Sequence, residues 1–143
     1  MLGPLAGLAT SMGPRLLLGV VCAIGLAGNA AAQSDVCQRL SGASIIAQDD
    51  DNTFLGTISS KFNGKSIFNE FGTYGSEFSA ESIWNKFSQF GSEFSAYSPF
   101  NKFSDKPPLI VKGGKMIAYL SANKTLQGVI SAHLLKALCE DEL

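Results

Sequence analysis

The residues able to perform catalysis are few and lie far apart along the chain. His133 is the only histidine, and Glu77 and Glu93 stand 16 residues apart in similar surroundings. A histidine can act as a general base, and two carboxylates about 5–10 Å apart can hydrolyse a glycosidic bond. However, His133 lies in an apolar segment typical of a helix, and Lys61 replaces glutamate 16 residues before Glu77. We therefore predict no enzymatic activity, and no catalytic residue is assigned.

The acidic run Asp49-Asp50-Asp51-Asn52 is the one candidate for a calcium site. Calcium is bound by six to eight oxygen atoms, which carboxylates can supply. This run lacks the alternating acidic positions and the glycine of a calcium-binding loop. Aspartate and asparagine also hydrogen-bond to nearby backbone and are typical of turns. We therefore predict a solvated turn, with no metal site and no cofactor.

Aromatic residues recur at a fixed interval in residues 54–108 and are the main candidates for binding. Three tetrapeptides follow one another at steps of 16 residues: Ser66-Ile67-Phe68-Asn69, Ser82-Ile83-Trp84-Asn85 and Ser98-Pro99-Phe100-Asn101. Two further columns keep the same step: Phe62, Phe78 and Phe94, and Phe71, Phe87 and Phe103. Exposed rings could stack on sugars or other flat faces, whereas buried rings would supply a core. The core interpretation is favoured. For the binding interpretation, the candidate ligand contacts are Tyr74, Trp84 and Tyr97.

The spacing of these rings predicts the local structure of the repeats. Phe68, Phe71, Tyr74 and Phe78 step by 3, 3 and 4 residues, which is the spacing of one helical face. Glycines and frequent serines oppose a long helix. We therefore predict short helical turns that begin at serine caps and break near the glycines, with rings stacked inward. The asparagines of the tetrapeptides are predicted to hydrogen-bond to backbone groups of the turns rather than to contact a ligand.

Two β-hairpins are predicted on either side of the repeats. The first joins strands at 43–48 and 53–59 through the acidic turn, and the second joins 108–112 and 115–121 through Gly113-Gly114. Because an isolated hairpin is marginally stable in water, we expect both to form one antiparallel sheet. Residues 125–139 have apolar side chains at helical spacing, and Ser131 is a plausible cap if only their second half is helical. The predicted fold class is α+β.

Residues 1–32 have the features of a cleaved secretory signal peptide. A basic Arg15 precedes an apolar run too short to span a bilayer comfortably, and small residues end the segment at Ala32. Translation could begin at Met1 or at Met12, and a retained membrane anchor is the alternative. We predict a secreted or periplasmic protein whose single domain covers residues 33–143, with repeats over 54–108 and a hairpin and helix over 108–139.

The cysteine and charge content agree with export. Cys22 leaves with the signal peptide, so Cys37 and Cys139 remain and are predicted to form a disulfide; two free thiols are the alternative. Removing Arg15 reduces the 11 basic side chains to 10 against 12 acidic ones. This balance argues against nucleic acid or an anionic membrane as partner. The sequon at Asn123 and the terminal Asp141-Glu142-Leu143 are interpreted as coincidental.

The repeats resemble those of a loose group of small exported bacterial proteins. The likeness is carried by Tyr74-Gly75-Ser76-Glu77-Phe78-Ser79 and Ser82-Ile83-Trp84-Asn85, and it extends over roughly residues 54–123. It implies an exported bacterial protein of one domain and implies no activity. Many members of the group have tyrosine where this chain has phenylalanine. Two hypotheses therefore remain: a non-enzymatic structural or interaction module that binds another exported protein, or a binding protein for cell-surface glycan or cell-wall polymer.

Overall fold

The structure, a computed structural model, describes residues 35–143. The predicted signal peptide and Cys22 lie outside the described residues. Residues 35–40 form helix α1, and five strands and a second helix follow. The fold is α+β, as predicted.

The five strands form one sheet in the order β2-β1-β3-β4-β5. Their bounds are Ser44–Ile46 for β1, Phe54–Thr57 for β2, Leu109–Lys112 for β3, Lys115–Leu120 for β4 and Val129–Ile130 for β5. Both predicted hairpins are present, and β1 joins them by pairing antiparallel with β3. The prediction of a single sheet built from two hairpins is therefore confirmed.

The strand β5 was not predicted, because residues 125–139 have helical spacing throughout. Only Ala132–Cys139 forms the helix, α2. Gly128 has a φ of +69°, which interrupts the chain before a β-branched pair that adds to β4 in parallel. Ser131 caps α2, since its hydroxyl accepts a hydrogen bond from the N–H of Leu134. The predicted cap at Ser131 is confirmed.

Residues 60–106, which we call the turn chain, leave the sheet at its β2 edge and return at β3. At the start, the N–H of Thr57 donates to the carbonyl of Lys65 at 2.7 Å, and the N–H of Ile67 donates to the carbonyl of Thr57 at 2.9 Å. At the end, the amide of Asn123 donates to the carbonyl of Ser104 at 2.8 Å. The turn chain thus covers the otherwise open edge of β2 and is fastened at both ends.

The core is largely aliphatic and is closed by the disulfide. Fully buried isoleucines and leucines come from the sheet, from α2 and from the turn chain. Cys37 of α1 and Cys139 of α2 are both fully buried and bonded, which agrees with the predicted pairing. The bond joins the first and last described helices across a separation of 102 residues.

Reduction of the Cys37–Cys139 bond is expected to destabilise the fold strongly. A cross-link that closes a loop of this length restricts the unfolded chain and contributes about 3–5 kcal/mol in the chain-entropy account. Guanidinium unfolding of oxidised and reduced protein should therefore differ by about this free energy. Equal unfolding midpoints in the two states would contradict the assignment.

Candidate binding surface

The turn chain is built from successive tight turns whose corners are small polar residues. A serine, asparagine or glycine stands at nearly every third position, and its carbonyl usually accepts the N–H of the next corner. The side-chain oxygen of each serine or asparagine corner also accepts the N–H two residues ahead, at 2.8–3.4 Å. These are serine and asparagine turns, in which the side chain replaces a backbone acceptor.

The predicted short helical turns are therefore wrong. Within the described range 59–108, no residue lies in a helix. The aromatic steps of 3, 3 and 4 arise because each ring follows its corner by two residues, and because the corner spacing widens to four after Gly72 and Ser88. The signal that identifies this structure is the polar residue two positions before each ring. The spacing of the rings alone cannot distinguish a series of turns that repeat every three residues from an α-helix, which has 3.6 residues per turn.

The asparagine corners also join neighbouring turns. The amide of Asn85 donates to the carbonyl of Ser79 at 3.0 Å, and Asn69 and Asn101 make the same bond to residues 63 and 95, at 3.2 and 3.0 Å. The prediction that the asparagines satisfy turn backbone is confirmed. The bond recurs at steps of 16 residues, so the hydrogen bonding of the turn chain follows the sequence interval.

Six phenylalanines of the turn chain are almost fully exposed, with relative accessibilities of 86–99%. We call this set the phenylalanine face: Phe62, Phe71, Phe78, Phe87, Phe94 and Phe103. For these rings the favoured prediction of an inward, core position is wrong. The corner residues occupy the inside of each turn, so a ring is buried only where another element covers it. Phe68 and Phe90 belong to the hydrophobic core and are buried.

The structure places Tyr74, Trp84 and Tyr97 in half-buried positions, with Trp84 and Tyr97 packed against the core. Tyr74 meets Phe54 edge to face, with ring centroids 5.0 Å apart. Trp84 donates its indole N–H to the carbonyl of Ile67 at 2.6 Å. They are therefore less exposed than the phenylalanine face, contrary to the expectation that they are the outward members. Their role as ligand contacts stays a prediction.

Helix α2 packs on one end of a column of rings. The centroids of Trp84 and Phe100 lie 5.8 Å apart, and the His133 ring lies 4.7 Å from Phe100. The Lys136 ammonium lies 5.0 Å from the centroid of Trp84, which is the geometry of a cation–π contact. His133 is exposed and serves here as a packing surface for Phe100.

One groove of about 710 Å³ gathers several of the residues that the sequence singled out. Glu77, Glu93 and His133 all line it, together with Trp84, Phe87 and Phe94. Neither glutamate forms an ion pair within residues 35–143. A second groove, of about 750 Å³, is lined by Phe103, Lys102 and Lys124 at the end of the turn chain. The exposed rings thus border concave surfaces that carry charge of both signs.

The acidic run uses its first carboxylate to close the turn. Asp49 accepts hydrogen bonds from the N–H of Thr53 at 2.8 Å and from its hydroxyl at 2.6 Å. Partial burial raises the pKa of the Asp49 carboxyl, but these bonds and the N–H of Asn52 lower it by more, so the pKa lies below its ordinary value. Within residues 35–143 no group of three His, Cys, Asp or Glu side chains is arranged to hold a metal ion.

The Asn123 side chain of the sequon is committed to the fold. It is buried, its amide donates to the carbonyl of Ser104, and its oxygen accepts bonds from the N–H and hydroxyl of Thr125. An oligosaccharide on this nitrogen would break the contact that ends the turn chain. The coincidental interpretation of the sequon agrees with this geometry.

Comparison of the chain with protein-family models, with curated proteins and with solved structures finds no match. The resemblance of the repeats to exported bacterial proteins therefore stays a prediction. In the part of the chain from residue 35 to residue 143, no helix is long and apolar enough to cross a membrane.

Gly91→Ala is expected to destabilise the turn chain by about 1–3 kcal/mol or more. A Cβ atom at this position would lie 2.0 Å from the carbonyl oxygen of Asn85, so the backbone would have to move. Gly64→Ala is the matched control, because a Cβ there meets no atom within 4 Å. Thermal unfolding of both variants measures the difference, and equal stabilities would show that the close packing of turns is wrong.

The Asp49 carboxylate is expected to stabilise the protein only above its titration range. Because its pKa is lower in the folded state, this stabilisation is present above about pH 4 and is lost as pH falls through the folded pKa. The stability difference between wild type and Asp49→Asn should therefore shrink below about pH 4. Urea unfolding at several pH values tests this, with Asp50→Asn as the control. A difference independent of pH would contradict it.

Proposed function

We propose that the protein is an exported, non-enzymatic interaction module that binds its partner through the phenylalanine face. The observation that carries the proposal is the exposure of six phenylalanines on one chain of turns. Single exposed apolar residues are common on monomers, but several exposed aromatic rings along one segment are a feature of binding surfaces. Rings held by hydrogen-bonded corners also lose little conformational freedom on binding, which favours recognition.

The turn chain gives this face its rigidity. Asn85 accepts the N–H of Phe87 at 3.0 Å, and Ser92 accepts the N–H of Phe94 at 3.3 Å. The backbone that presents each ring is therefore bonded locally, independently of the ring itself. Removal of an exposed ring should leave the fold intact, which separates its binding role from a structural one.

Binding of a glycan or cell-wall polymer is the second candidate function, and the groove lined by Trp84, Phe87 and Phe94 favours it. Sugars stack on aromatic faces and hydrogen-bond to charged side chains, and Glu77 and Glu93 line the same groove. One face of Trp84 is occupied by the Lys136 ammonium. A saccharide in this groove would therefore rest mainly against Phe87 and Phe94.

The double variant Phe71→Ser/Phe87→Ser is expected to fold normally and to lose binding. These two rings are 99% and 97% exposed, so their removal should change the free energy of unfolding by less than about 1 kcal/mol. Wild type should either self-associate, measured by light scattering, or bind purified cell-wall polymer or soluble oligosaccharides, followed by Trp84 fluorescence. Whichever of the two is present should be reduced at least about tenfold in the variant.

Phe68→Ser is the matched control, because Phe68 occupies the same kind of turn position but is buried. Its loss should cost about 3–5 kcal/mol of stability. If wild type and the exposed double variant behave alike in every binding measurement, the interaction role of the phenylalanine face is wrong.

A further inference from the structure

We propose that the partner bound by the phenylalanine face is a second copy of this chain, in a dimer with two-fold symmetry. The inference rests on the proposed function, since it uses the same exposed rings. It adds the identity of the partner and the arrangement of the two copies. The evidence for it is the pattern of charge beside the rings.

A charged residue directly precedes every ring of the phenylalanine face. In the first column, Phe62, Phe78 and Phe94 follow Lys61, Glu77 and Glu93. In the second column, Phe71, Phe87 and Phe103 follow Glu70, Lys86 and Lys102. We call each 16-residue step a level. The pairs at the three levels are Lys61 with Glu70, Glu77 with Lys86, and Glu93 with Lys102, so the two columns carry opposite charge at each level. The charge of the first column changes from positive at Lys61 to negative at Glu77. The charge of the second column changes at the same step, from negative at Glu70 to positive at Lys86.

These opposite charges do not neutralise one another within the chain. All six residues are exposed, and within residues 35–143 the only ion pair that any of them makes is between Lys61 and Asp141, at 2.8 Å. The other five charges have no partner of opposite sign in the described residues. A complementary surface elsewhere could pair them and gain specificity from doing so.

Part of each column borders one groove, and the proposed interface extends this common surface along both columns. Phe94 and Glu93 of the first column line the same groove as Phe87 and Lys86 of the second. In a face-to-face dimer, a two-fold axis parallel to the columns places the first column of one copy opposite the second column of the other, level by level. Glu77 would then meet the partner's Lys86, and Glu93 the partner's Lys102.

The other face-to-face orientation satisfies the charges less completely. A two-fold axis perpendicular to the columns would place each column against its own copy in reverse order. Lys61 would then face the partner's Glu93, and Glu70 the partner's Lys102. At the middle level, however, Glu77 would face the partner's Glu77, and Lys86 the partner's Lys86. Like charges placed opposite each other in an interface are unfavourable and suppress that arrangement. The charge pattern therefore favours the first arrangement, in which the opposed charges differ in sign at every level.

The apolar area is sufficient for a stable dimer. At 150–250 Å² for each aromatic side chain, six exposed rings present about 1,000 Å². A stable interface buries about 800 Å² on each partner, so a dimer that uses all six rings would reach this size. A neutral polysaccharide could hydrogen-bond to single charged groups but would not require charges of opposite sign, and an anionic membrane would require an excess of cations. A second copy uses both the rings and the charges.

Charge reversal tests the arrangement. Sedimentation equilibrium should show a dimer for wild type, and Lys86→Glu and Glu77→Lys should each weaken it at least about tenfold, since each change places like charges together twice. The double variant Glu77→Lys/Lys86→Glu should restore the dimer. An equimolar mixture of the two single variants should also form dimers. One copy then has glutamate at positions 77 and 86, the other has lysine at both, and the opposite charges meet. Lys115→Glu, in the turn between β3 and β4, is the matched control with the same change in net charge and should dimerise as wild type does.

The outcomes separate this inference from the proposed function. A monomeric wild type that binds cell-wall polymer or a soluble oligosaccharide through Phe71 and Phe87 would overturn the dimer and keep the interaction role. A dimer that persists in Phe71→Ser/Phe87→Ser would overturn this inference, because the interface would then lie elsewhere. Failure of the mixed single variants to associate would show that the charges act within one chain and would overturn the arrangement.

Discussion

The hydrogen bond from a backbone N–H to the serine or asparagine two residues before it is the interaction on which the structure depends. It allows residues 60–106 to keep a defined path without helix or strand, because each corner supplies its own acceptor. Tight turns bring backbone segments so close that Gly91 has no room for a Cβ atom. They also leave no space for rings on the inside. The same bond that orders the turn chain therefore directs most of its aromatic side chains outward.

The remaining elements support this chain and bury only part of it. The sheet supplies an edge at β2 for its first turns, and Asn123 holds its last turns at Ser104. Helix α2, tied to α1 through the Cys37–Cys139 disulfide, covers Trp84 and Phe100 with Lys136 and His133. The rings that no element covers form the phenylalanine face. This division between covered and uncovered rings explains why phenylalanines at similar turn positions have opposite burial.

Three residues that the sequence singled out have structural contacts. His133 packs on a ring, Asp49 closes a turn, and Asn123 ends the turn chain. The exposed groups along the turn chain include aromatic rings and charges of both signs. In the interaction module that we propose, the alternation of charge along two columns would distinguish one partner orientation from another.

The amino-acid sequence by itself determined the α+β class, both hairpins, the single sheet, the Ser131 cap and the disulfide. Each of these depends on local turn chemistry, alternation of apolar residues or a cysteine pair. Tertiary structure decided which rings are buried and where the last helix begins. Burial depends on what covers a side chain, and the spacing of the rings does not distinguish the exposed phenylalanines from the buried ones. Strand β5 likewise exists because β4 offers an edge to Val129–Ile130 after Gly128, a partner that helical spacing in residues 125–139 could not reveal.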